Sequence, residues 1–344
     1  MRVLITGATG FLGGYLVEEC LRRHDRVRVL VRRPGDGDRW RAHPEVDVAY
    51  GDLTDARSLH AACDGVDAVI HSAGRVREFG SRAQFWSANV DGTRLLLDAA
   101  RAGRAGRFTY VSSPSAVMTG GDQRNIDERT PYPGRFVNRY AESKTVAEQA
   151  VLEANSRELV TCSVRPRGIW GPRDRHGILP QVLRRLAHGS LPDLSAQTPV
   201  HASLCYCVNA AHACRLTLDS AEVGGRAYFV ADAETVDVWH FIRQIAEMFG
   251  LTPPTRRVSP VLMQTMAGLV DQVWRLPVLA AHWAPPLSRY GLSLLTRTTT
   301  YDTSAASRDF GFRPPVDQST GLRLVKEWVD GTGGVAALLR GAGS

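Results

Sequence analysis

Val3-Leu4-Ile5-Thr6-Gly7-Ala8-Thr9-Gly10-Phe11-Leu12-Gly13 is the stretch that decides the fold. Residues 3–6 read as a buried strand, and Leu12, Leu16, Val17 and Leu21 fall at helical spacing over 11–23. Between strand and helix stands G-x-x-G-x-x-G. Gly7 suits a positive-φ turn out of the strand, and Gly10 lets backbone approach an anion at the helix amino end. Gly13 lets helix and strand pack closely. A strand, a glycine turn and a helix in this order form a pyrophosphate site, with Gly7, Thr9, Gly10, Phe11, Leu12 and Gly13 as the expected dinucleotide contacts.

Outward from this unit, strands at 27–31, 46–50, 66–71, 107–112 and 159–165 alternate with helices at 55–63, 84–102 and 140–154. That rhythm predicts an α/β fold, a doubly wound parallel sheet with helices on both faces. The strands are near-continuous apolar runs, as burial of both faces requires. After Pro172 the rhythm loosens, with helices at 177–188, 236–249, 261–274 and 321–329 and a strand at 226–231. We read 1–172 as a dinucleotide-binding domain and 173–335 as a smaller substrate-binding part, partly interleaved with the sheet. Residues 336–344, rich in small side chains, read as a flexible tail. The apolar 261–274 helix is expected to pack on the domain, with pocket lining or peripheral membrane contact as its other roles.

Composition narrows the partners. Of 344 residues, 44% are hydrophobic, enough for a large core. No apolar run approaches the roughly 20 residues of a membrane helix, and the glycine motif begins too early for a secretory leader. A cytoplasmic protein is the expectation. The net charge of +7 is carried almost wholly by scattered Arg, with Lys only at 144 and 326, so no nucleic-acid partner is expected. The six Cys (20, 63, 162, 205, 207 and 214) lack zinc-site spacing; they read as reduced and buried, and no metal is expected.

The second strand ends Leu30-Val31-Arg32-Arg33. An acidic residue there would hold a ribose 2′-hydroxyl, whereas a guanidinium pairs bidentately with a 2′-phosphate. The expected cofactor is therefore NADP(H) in preference to NAD(H), with Asp36 and Asp38 as the alternative ribose partners. Asp52 and Leu53 fall beside the adenine, Asp52 being equally suited to start a helix. Ser72, Ala73 and Gly74 are small enough for backbone to run along a cofactor, and His71 reads as structural.

Tyr140-Ala141-Glu142-Ser143-Lys144 puts a phenol and an ammonium on one helix face. A carbonyl accepting hydride needs a proton, and a nearby cation lowers the pKa of the phenol that supplies it. A hydroxyl should polarise the same oxygen. Ser113 is the choice within Ser112-Ser113-Pro114-Ser115, with Ser112 and Ser115 as competitors.

These motifs resemble the extended short-chain dehydrogenases/reductases. More narrowly they resemble the 3β-hydroxysteroid dehydrogenase/isomerase-like branch, which also contains bacterial 2-alkyl-3-oxoalkanoate reductases. The likeness rests on residues 7–13, Asn89-Val90-Asp91-Gly92-Thr93, Ser112-Ser113-Pro114-Ser115, and 140–144 with Ala147-Glu148. It extends through Arg165-Pro166-Arg167-Gly168-Ile169-Trp170-Gly171-Pro172, Pro285-Pro286-Leu287-Ser288-Arg289-Tyr290-Gly291 and Tyr301-Asp302. It implies a Rossmann fold and hydride transfer at a ketone or secondary alcohol of a hydrophobic substrate, 3-oxo/3β-hydroxy steroid-like or β-keto acyl. It further implies Ser113 and Tyr140 at the reacting oxygen, and Lys144 at the nicotinamide ribose. Pro166, Gly168 and Ile169 would lie by the nicotinamide, with Asn89 and Ser112 among the cofactor contacts. A homodimer would pair helices 84–102 and 140–154.

Met118-Thr119 and Arg167 stand where epimerases and dehydratases tend to have Tyr-Gly and Asn, which counts against a nucleotide sugar. Val208-Asn209 replaces the Val-Asp of many extended members. The alternatives are a nucleotide-sugar epimerase/dehydratase and a non-catalytic NADP-sensing regulator, though such regulators typically lose the Tyr/Lys pair. Glu78, Asp127 and Glu128 read as solvated loop acids, and His176 and His201 as loop or substrate residues.

Overall fold

The computed structural model describes residues 1–76, 79–195, 199–273 and 288–341. Glu78, Trp274, the motif positions 285–287 and tail residues 342–344 lie outside the described residues.

Among the described residues, seven strands form one parallel sheet: β1 (Arg2–Thr6), β2 (Arg26–Val31), β3 (Val46–Tyr50), β4 (Ala68–His71), β5 (Arg107–Val111), β7 (Val160–Pro166) and β11 (Arg226–Val230). Their order is β11-β7-β5-β4-β1-β2-β3. The order reverses between β1 and β4, and a doubly wound sheet opens its ligand crevice at the carboxyl ends of the strands there. β11 comes from the second half of the chain and pairs with β7 from Arg226↔Cys162 to Val230↔Pro166.

Strand pleat sorts the core into two layers. Val3 and Ile5 pack toward α1 (Phe11–Arg22) and α8 (Cys207–Leu216). Leu4, Val69, Phe108 and Tyr110 pack on the other face toward α3 (Ala56–Cys63), α5 (Gly92–Ala102) and α6 (Arg139–Glu153). All six Cys are buried, Cys63 in the second layer and the other five in the first.

The helix expected over 84–102 is three joined pieces. A capping box between Ser81 and Gln84 starts α4 (Arg82–Phe85), a π-helical segment runs through Trp86–Asp91, and α5 follows. Short strands assemble the second half: β9 (His201–Ser203) lies between β12 (Thr235–Asp237) and β13 (Thr299–Tyr301), with β6 (Gln123–Ile126) at the edge beside β13. β8 (Ile169–Trp170) pairs with β10 (Cys205–Tyr206).

The remaining helices are α2 (Asp38–Arg41), α7 (Ile178–Ala187), α9 (Val238–Met248), α10 (Pro260–Val273), α11 (Arg289–Thr296), α12 (Ser304–Phe310), α13 (Gln318–Gly331) and α14 (Gly334–Gly341). The last of these replaces most of the expected flexible tail, and its Leu338 is buried in the core. α10 packs on α11, burying Ala267 and Gly268, while Val261, Leu262, Met266, Leu269 and Val273 stay exposed. Among the described residues no helix is long and apolar enough to cross a membrane.

Candidate active site

The glycine turn is built as a cradle. Gly7 has φ +76°, and a Cβ there would stand 2.8 Å from the Ala73 nitrogen. A Cβ on Gly13 would stand 1.9 Å from the Gly7 carbonyl oxygen, so only glycine permits this approach of helix to turn. Gly10 caps α1 with no side-chain bond, and the first turn holds no acidic residue. The helix amino end is thus left to an external anion, which fits a dinucleotide pyrophosphate. Thr9 and Gly10 are exposed and Phe11 partly so, while Leu12 and Gly13 are buried and offer backbone only.

His71 pins this cradle from behind. Its Nδ1 shares a 2.7 Å hydrogen bond with Thr6 Oγ1, and its Nε2 a 2.9 Å bond with Thr93 Oγ1. The Ala73 N–H donates to Thr6 Oγ1 at 3.1 Å, which fixes the Ser72-Ala73-Gly74 strand end. Burial, and secondarily Lys144, pushes the imidazole down to about 3. His71 is a neutral structural bridge.

Other expected cofactor residues divide. Arg32 and Arg33 are exposed at the end of β2. Asp52 Oδ1 accepts from the Thr54 N–H at 2.9 Å and the Thr54 hydroxyl at 2.7 Å, bonds that hold its pKa below the usual range. Asp55, not Asp52, caps the following helix, through the Arg57 N–H. Leu53 packs against Gly92 of α5.

Asn89, expected among the cofactor contacts, has a structural set of partners. It is buried in the π-helical segment, accepts from the Arg75 N–H at 2.6 Å, and donates to the Arg75 carbonyl and Ser143 Oγ at 3.1 and 3.0 Å. Its amide nitrogen donates to both, which ties the loop after β4 to α6. Glu128 is not a solvated acid either: its Oε1 accepts from the Phe229 N–H of β11 at 2.9 Å.

Ser113, Tyr140 and Lys144 come together where β5 ends and α6 begins. Asn138 caps α6 by accepting from the Ala141 N–H at 2.8 Å, which sets Tyr140 in its first turn. Ser113 acts on the Tyr140 hydroxyl and works to lower the phenol's pKa. Ser112 and Ser115 are buried, while Ser113 is partly exposed, so the pleat turns Ser113 alone of the three toward the cleft. Ser113 Oγ also accepts from the Ser115 N–H at 3.2 Å, which leaves its own proton to donate. Pro166, Gly168 and Ile169 close the neighbouring edge; Gly168 has φ +54°, and Ile169 pairs with Cys205.

The electrostatics depart from the expected lowering of the phenol. Burial pushes Tyr140 up to about 12, and the Ser113 bond only partly offsets it. Lys144 is buried, donates Nζ to the Val111 carbonyl at 2.6 Å, and lies 4.2 Å from the centre of the Tyr110 ring. Burial pushes this ammonium down to about 7 against the raising influence of Glu148. Desolvation therefore dominates both groups in the free protein, opposed by Ser113 at the phenol and by Glu148 at the ammonium.

One turn further along α6, Glu148 is fully buried and paired with Arg165 of β7. Arg165 donates Nη2 to Oε1 at 2.6 Å and Nε to Oε2 at 3.0 Å. The Tyr132 and Ser163 hydroxyls complete the carboxylate at 2.9 and 2.7 Å. Burial raises the Glu148 pKa, but Arg165, then Ser163 and Ser112, hold it below the usual range. Sequence reasoning noted Glu148 and Arg165 only as motif letters. The i, i+4 spacing of Lys144 and Glu148 was the available signal.

The sequence profile of the 3-beta hydroxysteroid dehydrogenase/isomerase family matches residues 4–261. A 3 beta-hydroxysteroid dehydrogenase/Delta 5-->4-isomerase of Mycobacterium tuberculosis is 34% identical over 328 residues, covering 91% of this chain and 86% of that protein. A 2-alkyl-3-oxoalkanoate reductase of Shewanella oneidensis is 30% identical over 336 residues, covering 94% and 84%. Among solved structures, a dTDP-glucose 4,6-dehydratase from Streptomyces venezuelae superposes with a TM-score of 0.76 at 22% identity, over 97% of this chain and 98% of that one, a likeness of fold alone. With the glycine cradle in place at the switch point of the sheet, the chain belongs to the 3-beta hydroxysteroid dehydrogenase/isomerase family and is an NAD(P)-dependent oxidoreductase of the extended short-chain dehydrogenase/reductase type.

Proposed function

We propose that the protein is an NADP(H)-dependent ketoreductase or alcohol dehydrogenase for a hydrophobic substrate, a 3-oxo/3β-hydroxy steroid-like or β-keto acyl compound. The observation that carries this reading is the meeting of Ser113, Tyr140 and Lys144 at the β5–α6 junction, beside the glycine cradle. Nicotinamide, when bound, supplies or accepts the hydride. Ser113 holds the substrate oxygen through its hydroxyl proton, and Tyr140 gives that oxygen a proton during reduction and takes it back during oxidation. Lys144, fixed by the Val111 carbonyl, would hold the nicotinamide ribose from the same helix face as the phenol. Arg32 and Arg33 favour a 2′-phosphate.

Relatives named for steroid and alkyl-oxoalkanoate chemistry support the hydrophobic substrate class. The test is a panel of 3-oxo and 3β-hydroxy steroids, 2-alkyl-3-oxoalkanoates and nucleotide sugars, read by nicotinamide absorbance with NADPH and with NADH. Cofactor-linked turnover of the apolar ketones, faster with NADPH, is the expected result. Conversion of a nucleotide sugar with no net cofactor change overturns the reaction, and a preference for NADH overturns the cofactor.

A further inference from the structure

Lys144 carries its ammonium in a poor setting for a charge. Nζ meets the neutral Val111 carbonyl at 2.6 Å and stands 4.2 Å from the centre of the Tyr110 ring, both on β5. The groups packed around it offer little to balance that charge. His71 of β4 is neutral, and burial raises the Tyr110 and Tyr140 phenols. Asn89 of the π-helical segment is an amide, and the turn Pro114–Val117 that packs on α6 has no ionisable side chain. Glu142 pairs with Arg82 of α4 at 3.7 Å, and Arg94, Asp98 and Arg101 of α5 are exposed.

Glu148 is the buried acid that acts on this ammonium. Residues 144 and 148 are four apart on α6, so their side chains are neighbours on one helix face. Burial works to discharge Lys144, and Glu148 works against it. A carboxylate so deep would itself take up a proton without a partner. Arg165 is that partner, and the Tyr132 and Ser163 hydroxyls donate to the same carboxylate. The order of strands sets the direction of the pair. Lys144 touches β5, Arg165 leaves from β7, and its guanidinium lies 5.2 Å from the centre of the Phe229 ring on β11, the strand on the other side of β7. The ion pair therefore keeps its negative pole on the helix of Lys144 and its positive pole toward the far strand, and the nearer pole decides what the ammonium feels.

We propose that Glu148 is a positioning residue for hydride transfer: acting through Lys144, it sustains the ammonium that holds the nicotinamide ribose, while Arg165 keeps Glu148 itself ionised. The inference rests on the role of Lys144 at the ribose and adds what maintains it. Guanidinium, carboxylate and ammonium form a buried relay of alternating charge, in which each member is charged because of the next. Without Glu148, Lys144 is left with a carbonyl and a ring, and it releases its proton to solvent at a lower pH. The hold on the ribose is then lost at that lower pH as well.

The chain has Lys only at 144 and 326, and Lys326 is exposed on α13 beside Asp330, so isotope-labelled lysine gives two side-chain signals that NMR can follow against pH. The test compares wild type, Glu148→Gln and the double variant Glu148→Leu/Arg165→Met without nucleotide, then measures NADPH affinity over the same pH range by nicotinamide fluorescence. The double variant keeps the test readable where Glu148→Gln fails to fold, because it leaves no buried charge unpaired. The Lys144 midpoint is expected to fall by about one unit or more from its value near 7, and the alkaline loss of NADPH affinity to move down with it. Glu148→Asp keeps the charge and should restore part of both. An unmoved Lys144 midpoint in the double variant overturns the inference, as does a moved midpoint with an unmoved NADPH profile. Lys144→Met tests the role beneath it: normal NADPH affinity and pH profile in that variant take Lys144 away from the ribose and the inference with it, whereas an unmoved midpoint in the double variant leaves that role standing.

Discussion

Replacing Lys144 with Met removes the group whose protonation the site controls most tightly. In the folded protein its ammonium is pushed down to about 7 by burial, whereas an unfolded lysine titrates near about 10.4. Between those values the unfolded chain holds one proton more than the folded chain, so stability rises with pH across that window and the gain is complete only near the unfolded pKa. Each pH unit is worth about 1.4 kcal/mol, so the lysine adds roughly 2 kcal/mol between about pH 7.5 and pH 9. Lys144→Met is volume-conserving, packs on the Tyr110 ring, and has no proton to lose. Urea unfolding of wild type and Lys144→Met, each without nucleotide, should show wild type gaining that amount on the variant over the interval, with unchanged m-values. Parallel curves would mean that the buried ammonium stays charged, and the desolvation argument for this site would be wrong.

Tyr140→Phe should keep NADPH binding near wild type while lowering kcat by about a hundred- to ten-thousandfold, the usual worth of a positioned acid–base; single-turnover kinetics checks it. Ser113→Ala should cost about a hundred- to a thousandfold in kcat, and Ser112→Ala far less, since only Ser113 faces the cleft. A reversed order would move the polarising role to Ser112. Glu148→Gln should destabilise by about 3–5 kcal/mol by orphaning buried Arg165, and the double change to apolar residues should recover most of that, so the two losses are strongly non-additive in denaturant titrations.

The parallel sheet was legible because its strands are apolar on both faces and follow one another in short βα steps. The tyrosine–lysine pair was legible because a four-residue spacing fixes a helix face regardless of tertiary context. Helix α8 was not, because nearly every side is buried: Cys207, Asn209, Ala210, Ala211, Ala213, Cys214 and Arg215 leave no apolar stripe to detect. β6 and β13 escaped for another reason. They are four and three residues long, and their pairing of Gln123 with Thr299 spans about half of the chain, so no local window contains the signal. The π-helical turn carries no marker in residue type. The side-chain bonds of Asn89 join Arg75 and Ser143, a loop and a helix that sequence alone does not bring together. Arg39 shows the limit for charge: one arginine among many gives no hint that its Nη2 donates to the Ala8 carbonyl in the glycine turn.

The placement of β11 governs how the protein can be made. The strand that flanks β7 is synthesised some sixty residues after it, since residue 226 must pair with residue 162. Until the ribosome has released that segment, the main-chain groups along Cys162 to Pro166 have no neighbour on that side, and the nascent chain exposes a raw sheet border to other chains. A fragment ending at Pro172 inherits that exposure permanently. It is expected to self-associate, and the nucleotide-binding half is not a detachable module for expression or fusion.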